Sequence, residues 1–167
     1  DGSRVGQILT SAISVGVLGA AVWMVHRSPR SGGIAMLLSA LGVGLWIGHN
    51  LGGSVPLGIA GSVFYAAAYF YAAYSLVAYM LADERTTADE MWAAAATFML
   101  FVEAYAWVFM ALVQLQPEAF SAPAKFAQEH RTWLELLFLS GTTFSATGLA
   151  AILPVAPAAR MLVAIEQ

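Results

Sequence analysis

The residues best placed for chemistry lie in one stretch, Ser140–Gly141–Thr142–Thr143–Phe144–Ser145–Ala146–Thr147–Gly148–Leu149–Ala150–Ala151–Ile152–Leu153–Pro154. Hydroxyls are mixed there with glycine and alanine, side chains too small to hide the backbone. Such a stretch offers oxygen: carbonyl and hydroxyl dipoles that could hold water or replace an ion's hydration shell. It follows an apolar segment, Trp133 to Leu139, far shorter than the about 20 residues a bilayer span needs. It leads into another apolar segment that begins at Pro154. A half-length helix, a small-residue loop and a new helix start read as a re-entrant loop. Non-helical backbone is tolerated at membrane depth only where it is buried in protein or lines a watery cavity. This loop is therefore where the chain would meet water or an ion.

Two carboxylates are further candidates. Glu103 stands near the middle of an apolar run, where an ionisable residue is a functional hypothesis by default. It could line a vestibule, pair with another helix or shuttle protons, or sit as a neutral carboxyl bonded to a nearby Ser, Thr or Tyr. Glu135, early in the short helix, could raise the local cation concentration. Alternatively it is an acid favoured by the positive end of the helix dipole. Other chemistry has few carriers. The chain has no cysteine, and His26, His49 and His130 are far apart, so no metal site or cofactor is expected. No Gly-x-Ser-x-Gly elbow, phosphate loop or His-Glu-x-x-His occurs, and an intramembrane enzyme around Glu103 would lack a catalytic partner, so no enzyme is expected. No span carries repeated arginines, which excludes the usual voltage sensor. A net charge of −3 weighs against a nucleic-acid partner.

The elements that must position these residues follow from composition. The 167 residues are 60% hydrophobic and 10% charged, against about 25% charged in soluble domains. No alternating strand pattern appears, so the expectation is an all-α integral membrane protein lying in a lipid bilayer. Ile8 to Val25 forms a first span, closed by the basic turn His26–Gly33. Gly33 to Gly48 forms a second, in which Gly44 and Gly48 are either spaced for close helix contact or simply glycines of the kind common in membrane helices. From Val55 the sequence reads as an interfacial lead-in, then a third span from about Gly61 to Ala82. Its tyrosines, including Tyr65, Tyr69, Tyr71 and Tyr74, suit core packing and interfacial anchoring. Asp83–Glu90 is a charged loop in which Thr87 and Glu90 fit a capping box. Met91 to Val113 is a further long helix, Gln114 to Arg131 a polar segment, and Thr132 to about Thr142 the half-length helix. Arg27 and Arg30 put the first turn in the cytoplasm, so the short helix dips in from outside. The chain opens at Asp1 rather than Met and is expected to begin inside a longer one. Pro154 to Gln167 gives about 14 residues, or ~21 Å of helix, too short for a span, so this last helix is expected to be incomplete.

The loop also resembles the filter of the tetrameric potassium-channel superfamily, in particular the small bacterial channels of the two-helix pore type. That family reads Thr-x-Thr-Thr-Val-Gly-Tyr-Gly-Asp-Ile-x-Pro. Aligned on Pro154, this chain matches it at Thr143, Gly148, Ile152 and Pro154, and Ser145 is a conservative change. Ala146, Thr147, Leu149, Ala150 and Ala151 depart. Pro154 to Gln167, with its Ala159–Arg160 pair and Glu166, looks like the family's inner-helix start. Leu115–Phe120 is similar to its turret. The resemblance covers Thr86 to Gln167. It divides the chain into membrane helices over residues 1–85 and a pore module over residues 86–167.

What the resemblance implies is a passive cation channel subunit in a bacterial cell membrane, multi-pass and homotetrameric. Four loops would ring an axis with backbone carbonyls. The ring positions are Thr147, Gly148, Leu149 and Ala150, with hydroxyls of Ser145 and Thr143 below, and potassium or sodium is the permeant ion. The short helix would aim its carbonyl end at the cavity. Ala150 stands where the family has its second glycine, and a left-handed alanine costs about 1–2 kcal/mol. Leu149 replaces a tethering tyrosine, and Ala151 replaces an acid at the outer mouth. A wider, less selective filter or a collapsed one is expected. The alternative is a non-conducting, channel-like scaffold or accessory subunit. Arg160 is expected in a structural ion pair.

Overall fold

The computed structural model describes residues 31–82, 88–121 and 131–167. The expected first span Ile8–Val25, the basic turn up to Arg30 and the Thr87 cap lie outside the described residues. Within them the chain folds as helices α1 (Ser31–Gly52), α2 (Val55–Met80), α3 (Ala88–Leu115), α4 (Trp133–Phe144) and α5 (Pro157–Glu166). Three are long and apolar enough to cross a membrane: Gly33–Gly52 within α1, α2, and Glu90–Leu115 within α3.

A tight corner joins α1 to α2. Gly53 takes a left-handed φ of 64°, which a glycine adopts without a Cβ clash. Its N–H donates to the His49 carbonyl at 2.7 Å. The His49 ring then clamps the corner, with Nδ1 2.8 Å from the Ser54 carbonyl oxygen. A carbonyl only accepts, so Nδ1 carries the hydrogen. Pro56 falls in the first turn of α2, where a missing N–H costs nothing. The helix therefore starts at Val55, with no separate interfacial lead-in before Gly61.

The close contact between α1 and α2 uses glycines other than the expected pair. A Cβ on Gly44 would meet nothing, and one on Gly48 would touch only the tip of Leu57. The approach is instead at Gly42, against the Tyr65 ring and backbone, and at Gly61, against the Trp46 backbone and Gly42 carbonyl. Spacing on one helix could not show which face meets a partner. At the corner, Gly58 lies directly under Gln114 Oε1 and the His49 ring. Gln114 Nε2 reaches from α3 to Ser62 Oγ at 3.0 Å. One polar cluster thus ties the ends of α1, α2 and α3.

The hub is α3, which packs against α2, α4 and α5. Trp107 is stacked on Tyr65 at 4.4 Å between ring centres and meets Trp46 edge-on at 5.1 Å. Phe70 meets Tyr105 edge-on at 5.2 Å. Such pairs add about 0.5–1.5 kcal/mol each beyond the area they bury. Of the α2 tyrosines, Tyr65 and Tyr69 are core while Tyr74 and Tyr79 are exposed.

Helix α4 runs antiparallel down α3 for only 12 residues. Trp133 lies by Trp107, and Phe144 sits between Phe98 and Phe101. The chain then returns to the far end of α3, where Pro154 pairs with Phe120. Gly148 to Pro154 is non-helical and bends at Ala151. The chain enters beside α3, turns back midway and leaves on the side it came from.

Gly61→Val should push a side chain into the α1 backbone and lower stability by about 1–3 kcal/mol. Gly44→Ala should be neutral or slightly stabilising. Thermal unfolding of the two variants in detergent checks the difference.

Candidate functional site

The start of α4 is fixed by a capping box. Thr132 Oγ1 accepts from the Glu135 N–H at 3.3 Å, and Glu135 Oε2 accepts from the Thr132 N–H at 2.8 Å. Glu135 Oε1 also lies 4.0 Å from Arg131 Nη1. Glu135 is thus engaged at the helix start, remote from the loop. The Thr-x-x-Glu signal that marks Thr87 and Glu90 is equally present at Thr132 and Glu135.

The end of α4 is a Schellman motif. The Ala146 N–H donates to the Thr143 carbonyl at 2.8 Å, and the Thr147 N–H to the Thr142 carbonyl at 2.9 Å. Thr142 O also accepts from the Gly148 N–H at 3.1 Å, and Gly141 O accepts from the Ser145 N–H at 3.1 Å and from Ser145 Oγ at 2.6 Å. These bonds engage the carbonyls of Gly141, Thr142 and Thr143, so α4 does not present them free to a cavity. Ala146 carries the motif's left-handed residue at φ 56°, and Gly148 follows at φ 63°. The strained alanine is therefore Ala146 rather than Ala150, because the turn that ends the helix comes earlier than the family frame implies.

The far side of the loop is clipped to the segment after α3. The Ser121 N–H donates to the Leu153 carbonyl at 2.8 Å, and the Val155 N–H to the Ala119 carbonyl at 2.9 Å. The Leu153 N–H donates to Ser121 Oγ at 3.3 Å. Ile152 turns into the core with Phe120. Arg160 Nε donates to the Pro154 carbonyl at 3.4 Å, and it forms no ion pair among the described residues.

Between these anchors the loop's oxygens are unclaimed. No described group donates to the carbonyls of Thr147, Gly148, Leu149 or Ala150. Thr147, Gly148 and Leu149 are exposed, Leu149 by 74%, and Ala150 is half-buried. A Cβ on Gly148 would meet open space. The Ser145 and Thr147 hydroxyls lie 3.1 Å apart, the one pair of candidate side chains that the fold brings together. Thr143 is buried within the subunit, off this exposed run.

Glu103 is set apart from the loop. It is 2% exposed, inside the bundle, and its Oε2 has no partner among the described residues. Tyr69 of α2 is close enough for the two groups to interact electrically. It does not face an open vestibule of this subunit. A second buried acid, Glu166 on α5, is 3% exposed and contacts Ser140 Oγ of α4. Ser140 also lies 2.8 Å from the Val102 carbonyl of α3. Sequence places Ser140 in the small-residue stretch and Glu166 in the last helix, with nothing to show that the two meet. An acid on an apolar helix, the signal that marked Glu103, marks Glu166 equally.

No family model, no curated protein and no solved structure matches this chain.

Ala146→Gly should stabilise the fold by about 1 kcal/mol by relieving the left-handed alanine, and Gly148→Ala should destabilise it by about 1–2 kcal/mol. Equilibrium unfolding in detergent reads both. Equal effects at the two positions would contradict the assigned turn.

Proposed function

We propose that the protein is a subunit of a passive cation channel in a cell membrane, with four copies arranged so that the loops from Thr147 to Ala150 surround one axis. The observation that carries this reading is a row of exposed, unpartnered backbone carbonyls on a loop held at both ends. In a membrane such oxygens need water, an ion or another protein surface. A ring of them can substitute for a cation's hydration shell. The ions that suit neutral dipoles are monovalent, potassium or sodium. The bacterial origin suggested by the sequence resemblance belongs to the same proposal.

The departures favour a weakly selective path. Within the loop only Ala146 and Gly148 are left-handed, so Ala150 does not supply the second left-handed turn of the family pattern. Leu149 brings no hydroxyl to fasten the loop. A second reading has its own support. The carbonyl end of α4 is engaged by the loop, which weakens its pull on a cation at the axis. A fourfold assembly that does not conduct would then be a scaffold or accessory subunit.

Flux of potassium and sodium into liposomes containing the full chain separates these readings. The channel predicts flux of both ions with less than tenfold preference. Gly148→Val should abolish it; because Gly148 is left-handed the valine is strained, so the variant's assembly is checked by its size in detergent beside that of the wild type. A protein that assembles but passes neither ion supports the scaffold.

A further inference from the structure

We infer that Glu166 is a proton-carrying positioning residue: a neutral carboxylic acid that donates to Ser140 Oγ and so fastens α5 to α4 and, through Ser140, to α3. Ser140 Oγ lies 2.8 Å from the Val102 carbonyl oxygen and is also in hydrogen-bond contact with Glu166 Oε1. A serine hydroxyl has one hydrogen, and a carbonyl has none. Directed at Val102, that hydrogen leaves only lone pairs facing Glu166. Directed at Glu166, it leaves lone pairs facing Val102. Two contacts need two hydrogens, and the second can come only from the Glu166 carboxyl.

The surroundings agree with a neutral acid. Among the described residues the one ion pair is Arg131–Glu135, at the opposite end of α4, and Arg160 on the first turn of α5 is bonded to Pro154. No described cation is paired with Glu166. From α3 the ionisable group near enough to feel Glu166 is Tyr105, and Glu103, next to Val102, is the acid on that stretch. From α4 it meets Ser140, and the acid of that helix, Glu135, lies in its first turn. A buried carboxylate without a cation is far costlier than the neutral acid. Glu166 Oε2 has no partner among the described residues, which an uncharged oxygen tolerates better than a charged one.

The consequence is positional. The loop and its clip lie between α4 and α5, so the contact that sets the spacing of those helices also sets the course of Thr147 to Ala150. Conversion to carboxylate would place lone pairs against lone pairs at Ser140 and release α5. A group neutral when folded and ionised when unfolded contributes stability that is lost as pH rises.

Infrared spectroscopy of the full chain in lipid tests this without any ion flux, so failure of the channel reading leaves the test intact. The wild-type minus Glu166→Gln difference should contain a carboxylic-acid C=O band, and Ser140→Ala should move that band to higher frequency by removing its acceptor. The wild-type unfolding midpoint should fall relative to Glu166→Gln as pH rises above the ordinary carboxylate range while the band persists, and level off over the pH range in which the band is lost. Glu166→Gln, whose amide can donate to Ser140, should keep the midpoint that Glu166→Ala loses. Carboxylate bands in place of the acid band, a band unmoved by Ser140→Ala, or Gln and Ala variants equally destabilised would overturn the inference.

Discussion

The constraint on which this fold turns is the fate of a short run of peptide oxygens. The segment from Ser145 to Leu153 is fastened at one end by the Schellman turn on α4 and at the other by Ala119 and Ser121. Between those anchors the chain is non-helical and bends at Ala151, and none of the carbonyls from Thr147 to Ala150 meets a donor among the described residues. The same two anchors that hold the loop in place therefore leave Thr147 to Ala150 open to a partner from outside the subunit. In water this would be unremarkable, whereas within a bilayer it demands a cavity or a second protein surface.

The rest of the subunit serves to hold those anchors still. Helix α3 bears α2 on one side through stacked aromatics and bears α4 and α5 on the other. Ser140, fully buried, touches both α3 and α5. The glycine contacts of α1 and the polar cluster around Gly58 brace the end of α3 from which the loop's clip emerges. Leu134, Phe138, Leu149, Leu153, Met161 and Ile165 remain exposed on α4, the loop and α5. Apolar surface of that kind requires lipid or another copy against it.

Much of the architecture was legible in the sequence, because long apolar runs have few alternatives. The helix over Met91–Val113, the half-length helix and the non-helical stretch after it stand where the pattern put them, with ends shifted by a few residues. Pairwise detail was not legible. Gly44 and Gly48 carry the expected spacing, yet Gly42 and Gly61 make the contact, since sequence spacing on one helix does not state its rotation toward the next. The left-handed alanine fell at Ala146 because helix termination depends on which carbonyls the following N–H groups can reach. Glu103 and Glu166 are both visible as acids on apolar helices, whereas the contact of Glu166 with Ser140 depends on three helices converging.

The most direct test of the central claim is a reconstruction of the full-length protein in lipid nanodiscs that resolves its symmetry and the loop backbone. The account predicts a fourfold particle in which the carbonyls of Thr147, Gly148, Leu149 and Ala150 turn toward a common axis. A monomer or dimer, or a fourfold particle with those oxygens bonded to a neighbouring chain away from the axis, would contradict it.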